Sequence, residues 1–129
     1  MADIELDGSD LFDIVRLLDG AEHKAASRAY EVVEKHAKAL RNEWRDNARD
    51  TAGAHGQHYP RSITAEQIPA RDAVEWEVGP ESMRPQGGMG RGFEYGSVHQ
   101  PPHLDGARAA VKVEPAFIAD LDKIARDLL

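Results

Sequence analysis

The feature that most constrains this chain is one long amphipathic segment, which runs from about Ala21 to about Asp50. Apolar side chains and one histidine recur along it at helical spacing, and this predicts a single helix with one buried face. The predicted stripe consists of Ala25, Ala29, Val32, Val33, His36, Leu40, Trp44 and Ala48. Roughly 30 residues that rise about 1.5 Å each make a rod of about 45 Å.

The length of that helix raises a packing problem. A domain of 129 residues has a radius of gyration of about 14 Å, and therefore a diameter of roughly 36 Å. A straight rod would extend beyond such a domain, so it must either kink or be covered by a neighbouring subunit. We favour the neighbour, with the contact expected along the stretch from Ala25 to Ala48.

Shorter patterns lie on both sides of the long helix. Before it, Ser9 is a suitable N-cap for a helix that ends at Gly20. After it, the stretch from Thr51 to Pro60 is predicted to be a loop because it contains glycine and proline. Two strands are predicted next, a weaker one from Ser62 to Ile68 and a stronger one from Ala73 to Val78.

The stronger strand shows the alternation of a half-buried strand. Val74, Trp76 and Val78 occupy one face, which we expect to point toward the core, and Glu75 and Glu77 occupy the other. Two carboxylates on one face are able to support acid–base chemistry, but no partner base is evident. A solvated strand face is therefore the preferred interpretation.

The C-terminal half is rich in glycine and proline. Glu81 to Gly92 holds four glycines and little apolar beyond two methionines, which predicts a long flexible loop with little contact to the core. Phe93 to Val98 is predicted to be a short strand or turn. Gln100 to His103 should be extended, since proline disfavours helix in the residue before it. Two helices are then predicted, from about Asp105 to Val113 and from Pro115 onward.

The order of these elements predicts the fold class. Runs of helix and strand that do not alternate indicate an α+β fold, with a long N-terminal helix packed on a small antiparallel sheet and with C-terminal helices. The length is typical of one domain, which we expect to span 1–129.

Charge and composition exclude several classes of function. Lys and Arg number 16 and Asp and Glu number 23, so the formal net charge is −7, which disfavours nonspecific binding of nucleic acid. The chain has no cysteine, which excludes disulfides, thiolate metal sites and a cysteine nucleophile. The acidic start lacks the pattern of a secretory signal, and no apolar run approaches the roughly 20 residues that span a bilayer.

Three patterns invite a chemical role but are better explained structurally. His55 and His58 lie three apart near Asp50, yet zinc needs three or four fixed ligands and this stretch contains glycine. The glycine run from Gly87 to Gly92 matches neither the dinucleotide-binding pattern nor the P-loop. His36, on the apolar stripe, is expected to be buried beside a hydrogen-bond partner.

One block of the sequence is specific enough to resemble a known family. It comprises Val78-Gly79-Pro80, Arg84 to Gly90, Phe93 to Ser97, Gln100 to Leu104 and Ala107 to Ala110. This block resembles the small tail-component family of long-tailed bacteriophages, especially members from phages of actinobacteria. In that family a core strand ends in Val-Gly-Pro, a glycine-rich loop leads to an aromatic-Glu-aromatic-Gly-Ser/Thr signature, and a Pro-Pro segment enters the C-terminal helices.

The likeness covers nearly the whole chain and is sharpest from Val78 to Ala110. Two departures from the family pattern stand out. The stretch from Thr51 to Tyr59 is longer and richer in His and Gly than the usual Thr-Gly-x-Leu step, and Gly106 stands where the family often has proline.

The resemblance implies a structural subunit rather than an enzyme, with no catalytic residues, cofactor or metal. It implies a tail-completion (neck) protein that forms a ring, expected to be a hexamer, around the DNA channel. Its partners would be a head-closure or adaptor protein and a tail-terminator or tail-tube protein, with DNA enclosed but not read and no membrane contact. Such a protein is made in the host bacterial cytoplasm and resides in the virion.

Two alternatives stay open. Within the structural class, the chain would be a tail-terminator or head–tail adaptor ring subunit. From a different class, it would be a small metal-dependent hydrolase that uses His55 and His58.

The residues expected to form the assembly interface lie in the glycine-rich loop and its flanks. They are Arg84, Gln86, Gly87, Gly88, Met89, Arg91, Phe93, Tyr95, Pro101 and Pro102. The glycines permit close backbone approach, and the arginines offer charge-assisted hydrogen bonds. One of the two aromatic residues is expected to face the subunit's own core, and the loop is expected to order on assembly.

Overall fold

A computed structural model describes residues 4–7, 22–71 and 73–128 of the chain. The helix predicted between Ser9 and Gly20 lies outside these residues. The elements, in chain order, are strand β1 (Ile4–Asp7), helix α1 (Glu22–Thr51), a 3-10 turn (Ala54–Gly56), helix α2 (Tyr59–Ser62), strands β2 (Ile63–Ile68) and β3 (Glu75–Pro80), a second 3-10 turn (Gly87–Met89), and helices α3 (Gly90–Tyr95) and α4 (Asp105–Asp127).

The fold is α+β, as predicted, and its largest contact joins the two long helices. They run antiparallel, since Arg28 near the start of α1 forms an ion pair with Asp127 at the end of α4. At the other end of the pair, the Asn47 side chain donates a hydrogen bond to the Asp105 carbonyl oxygen. The predicted stripe of α1 is buried, except for the half-buried Val32.

Helix α4 corrects the prediction of two separate C-terminal helices, because Pro115 lies inside one continuous helix. Proline removes the hydrogen bond that would be donated to the carbonyl of Val111. Both residues are on the exposed side of α4, where water is able to hydrate the free carbonyl, and the helix continues.

A continuous α4 also removes the reason for expecting a neighbour along the long helix. With 23 residues, α4 is about 35 Å long, and its Ile124 packs beside Ala25 and Ala29 near the start of α1. The stripe of α1 is therefore buried without a second copy, and contact with a neighbouring subunit along Ala25 to Ala48 stays a prediction. The antiparallel partner within the same chain covers the stripe.

The sheet has three antiparallel strands in the order β1-β3-β2. Both predicted strands are present, with β3 shifted by two residues relative to the predicted 73–78, whereas β1 was not predicted. Val74, Trp76 and Val78 are buried against α1 in the main core, as the alternation predicted. On the other face Glu77 is exposed and Glu75 is half-buried.

The two segments predicted as loops contain helical structure. In the first, Tyr59 and Pro60 open helix α2 and are buried. In the second, the prediction of little contact with the core was wrong, because its glycines let the backbone itself pack. A Cβ atom on Gly87 would lie 1.7 Å from the Glu81 carbonyl oxygen, and one on Gly90 would lie 2.4 Å from the Pro80 ring.

Candidate assembly surface

Some of the predicted interface residues pack against their own chain and support the surface, and the others are exposed. Phe93 belongs to the support, since only 3% of its surface is exposed. Its ring stacks on Tyr59 at 4.5 Å between centroids and on His103 at 5.7 Å. Of the two aromatic residues, Phe93 is therefore the one that faces the core. Tyr95 is 57% exposed.

The glutamate of the aromatic-Glu-aromatic signature caps helix α4. The Glu94 carboxylate is 3% exposed and accepts hydrogen bonds from the backbone N–H of Gly106 at 2.9 Å and of Ala107 at 3.0 Å. The first N–H groups of a helix have no partner inside it, and the helix dipole favours a negative charge there. This role was not predicted, because the cap lies twelve and thirteen residues before the N–H groups that it serves. The sequence signal for it is a charged residue between two aromatic residues.

A second buried carboxylate completes the junction between α1 and α4. Asp105 is fully buried and accepts hydrogen bonds from the Thr51 hydroxyl at 2.8 Å and from Arg108 at 3.0 Å. Beside it, the ring of Trp44 lies so close to Gly106 that a Cβ atom there would come within 2.6 Å of the ring. The departure from the family pattern at this position therefore coincides with a tight helix–helix contact.

Arg84 and Gln86 are held by their own chain. The Gln86 side chain accepts a hydrogen bond from the His58 backbone N–H and donates one to the His55 carbonyl oxygen, both at 2.7 Å. Arg84 forms an ion pair with Glu81 at 2.9 Å. The Gln86 side chain thus fastens the glycine-rich segment to the turn before α2, and Arg84 braces that segment internally.

The remaining predicted residues are exposed. Gly88, Met89, Arg91, Tyr95, Pro101 and Pro102 are all on the surface, whereas Gly87 is buried. Within the block from Val78 to Ala110, three further large apolar residues are exposed and were not predicted, namely Met83, Val98 and Leu104. Val98 is 95% exposed.

Four of these side chains lie around one open hollow in the surface. The hollow has a volume of about 610 Å³ and is lined by residues 95–102. We call Tyr95, Val98, Pro101 and Pro102 its apolar rim. The chain turn beneath is fixed by paired hydrogen bonds between the Ser97 and Gln100 backbones and by the Gln100 side chain, which donates to the Gly92 carbonyl oxygen.

The histidines do not form a ligand set. Within the described part of the chain, no three His, Asp or Glu side chains are grouped so that they could hold a metal ion. The carbonyl of His55 and the N–H of His58 serve the Gln86 bridge instead. His36 is buried and hydrogen-bonded to Asp120 at 2.7 Å, as predicted.

That hydrogen bond has an electrostatic consequence. The His36 ring, assisted by Lys35, holds the pKa of the Asp120 carboxyl below its usual value, against a smaller opposing effect of burial. Elsewhere in the core, burial raises the pKa of the Tyr59 hydroxyl above its usual range. Tyr59 therefore remains protonated and acts as a packing residue beneath Phe93.

Comparison of the chain with models of protein families, with curated proteins and with solved structures finds no match. Among residues 22–71 and 73–128, no helix is both long enough and apolar enough to cross a membrane.

Proposed function

We propose that this chain is a structural subunit of the bacteriophage neck, where it forms a ring that completes the tail and joins it to the head. The observation that carries the proposal is that the block from Val78 to Ala110 contains both buried residues that fix a turn and exposed apolar residues that the turn presents. Its Phe93 and Glu94 are buried and hold the chain turn in place, while the apolar rim faces outward. A fixed turn that presents apolar side chains is typical of a protein-binding surface.

The same block carries the resemblance to the phage tail-component family. On this proposal, the apolar rim contacts either the head-closure or adaptor protein on one side, or the tail-terminator or tail-tube protein on the other. The subunits form a ring, expected to be a hexamer, around the DNA channel. The net charge of −7 suits a ring through which DNA must pass without adhering.

Loss of the gene in its parent genome tests the proposal. We expect filled heads and unjoined tails that accumulate separately in electron micrographs, and joined particles when the gene is supplied in trans. An affinity label on the protein should mark the junction between head and tail. Label at the distal tail tip, or normal infectious particles without the gene, would refute the proposal, while label on a neighbouring ring would identify the terminator or adaptor.

Substitution of the apolar rim tests the surface itself. Val98→Asp and Tyr95→Asp place charge on side chains that make no core contact, so the isolated protein should unfold at an unchanged denaturant concentration. Head–tail joining should nevertheless fail. Val111→Asp, on an exposed apolar residue of α4 outside the predicted interface, is the matched control and should still support joining. If both rim variants complement as well as the control, this surface is not the contact.

A further inference from the structure

Strand β2 lies at the edge of the sheet. The order β1-β3-β2 leaves one side of β2 without a neighbouring strand. Its register with β3 runs without a bulge from Ile63 to Ile68, and these residues include neither lysine nor proline. Bulges, lysine and proline are the usual protection of an edge strand against pairing with another chain. The charged residue of β2, Glu66, lies on the outer face of the sheet, so the edge itself carries little of that protection.

The hydrogen-bond ladder identifies which backbone groups of β2 point outward. The Glu81 N–H donates to the Ser62 carbonyl oxygen at 2.8 Å, and these two residues continue the register of β2 and β3. In an antiparallel ladder, hydrogen-bonded pairs alternate with pairs whose N–H and C=O groups point away from each other. Ile63, Ala65 and Gln67 therefore direct their N–H and C=O groups to the open side.

The groups of Ala65 and Gln67 are available to another strand. Both Ile63 groups are already used, since its N–H donates to the Pro60 carbonyl oxygen and its carbonyl accepts the Arg45 side chain at 2.7 Å. Within the described part of the chain, no hydrogen bond reaches the outward N–H and C=O groups of Ala65 and Gln67. An extended peptide that pairs with a free sheet edge gains affinity from main-chain hydrogen bonds of this kind.

Helix α1 lies beneath this edge and determines which side chains an added strand would meet. Trp76, directly opposite Gln67, is buried in the core, so the side chains of Gln67 and Ile63 point to the α1 side of the sheet. The Gln67 side chain donates a hydrogen bond to the hydroxyl of Tyr30, which is 40% exposed. Side chains opposite Ile63 and Gln67 would therefore meet the Arg45 guanidinium at one end and an aromatic ring at the other.

The positive charge at the Ile63 end is not neutralised by the described part of the chain. There, Arg45 and Arg41 form no ion pair, and the Arg41 side chain bonds to the neighbouring Asn42. Burial lowers the pKa of Arg45, and the charges of Arg41 and two further arginines add to the shift. A carboxylate at this end would offset the repulsion and accept charge-assisted hydrogen bonds from the guanidinium groups.

We propose that the edge of β2 binds an extended segment of a partner protein, which adds a fourth strand to the sheet. The segment presents an acidic side chain to Arg41 and Arg45 and an apolar side chain to Tyr30. A second copy of β2 supplies no such acid, because its inward-facing side chains are uncharged and Glu66 lies on the outer face. The partner is therefore a different protein. This inference goes beyond the proposed neck function and does not depend on it.

Removal of one outward N–H tests the proposal. Gln67→Pro deletes an N–H that does not bond to β3, and an edge strand tolerates proline where the nitrogen faces outward. Gln67→Ala keeps that N–H and is the matched control, since both variants lose the hydrogen bond to Tyr30. Circular dichroism shows whether both variants are folded.

The probe is a short peptide with capped ends, in which valine alternates with threonine and one terminal valine is replaced by glutamate. Two versions, with the glutamate at either end, cover both strand directions, and matched peptides carry lysine instead. At millimolar concentration, one glutamate peptide should shift the amide resonances of Ala65 and Gln67 in isotope-labelled wild type and slow their hydrogen exchange. The lysine peptides should bind at least roughly tenfold more weakly. Gln67→Ala should retain binding of the glutamate peptide, and Gln67→Pro should lose it.

Several outcomes would overturn the inference. No shift at Ala65 with any peptide would do so, as would equal affinity for glutamate and lysine peptides, or binding by Gln67→Pro that matches Gln67→Ala. If Gln67→Pro does not fold, the lysine peptides and the exchange rates decide.

Hydrogen exchange of the protein alone identifies competing occupants of the edge. Slow exchange of the Ala65 and Gln67 amides in the free monomer would show that the chain covers its own edge. Slow exchange in a dimer only would assign the edge to a second copy, and either result overturns the inference. None of these results affects where a labelled subunit sits in the particle, so the proposed neck function is judged separately.

Discussion

The cap that Glu94 places on helix α4 makes a quantitative prediction. Replacing Glu94 by alanine leaves the N–H groups of Gly106 and Ala107 without an acceptor in a buried site. Hydrogen bonds to a charged group contribute about 1.5–3 kcal/mol each, and loss of a helix cap costs about 0.5–2 kcal/mol. Because these effects overlap, we expect Glu94→Ala to lower the free energy of unfolding by about 2–4 kcal/mol.

The conservative variant separates the hydrogen bonds from the packing. In Glu94→Gln the amide oxygen still accepts one hydrogen bond, but the amide nitrogen then faces the second N–H. We expect a loss of about 1–2 kcal/mol, between wild type and alanine. Glu114→Ala is the control, because Glu114 is exposed on the same helix and should change stability by no more than about 0.5 kcal/mol.

Urea denaturation followed by circular dichroism measures all three variants. The midpoint should shift while the slope stays constant, since the surface exposed on unfolding hardly changes. The loss of unfolding free energy expected for Glu94→Ala should also lower its Tm by roughly 10 °C. If Glu94→Ala were as stable as the Glu114 control, the carboxylate would not be capping α4, and the account of the junction would be wrong.

Three further predictions concern other parts of the fold. Trp76→Ala should lose about 3–5 kcal/mol, the range for a core aromatic, and Glu75→Ala should be near neutral; the reverse order in denaturation would contradict the strand register. Gly106→Ala should cost about 1–3 kcal/mol by overpacking against Trp44, and an unchanged midpoint would show that the contact is loose. Asp120, whose pKa the buried histidine lowers, stabilises the fold above its unfolded pKa of about 3.9 and loses that effect as the pH falls through the folded value. Thermal melts from pH 7 to 3 should therefore fall less steeply for Asp120→Asn, and parallel curves would exclude the linkage.

The parts of the fold that the sequence predicted are those governed by periodicity. The stripe of α1 and the alternation around Trp76 follow from the spacing of apolar side chains alone, and both elements lie where expected. Strand β1 was not predicted, although Ile4 and Leu6 alternate with Glu5 and Asp7, because four residues are the shortest run that indicates a strand. It is defined by its pairing with β3.

The parts that escaped prediction depend on contacts between distant residues. In the sequence Pro115 predicts the start of a helix. The free-energy cost of proline inside a helix depends on whether water can hydrate the carbonyl that loses its hydrogen bond, and the sequence does not show this. In the sequence Gly87 and Gly90 predict a loop. In the structure, the absence of a side chain at both positions permits close packing of the backbone. Among the residues predicted to form the interface, Phe93 lies in the core, and Gln86 connects two segments of its own chain. The same residue types occur in buried supports and in exposed contacts, so the sequence does not distinguish the two.

The junction that joins Trp44, Thr51 and Glu94 to the start of α4 also bears on the order in which the chain folds. Its contacts span more than fifty residues of sequence, from Asn47 and Thr51 to Asp105, so a long loop must close before they form. The turn that carries the apolar rim begins directly after Glu94 of this junction, but the hydrogen bonds that fix it, between Ser97 and Gln100 and from Gln100 to Gly92, are local in sequence. The turn is therefore able to form early, but its position relative to α1 and α4 is set only when the junction closes.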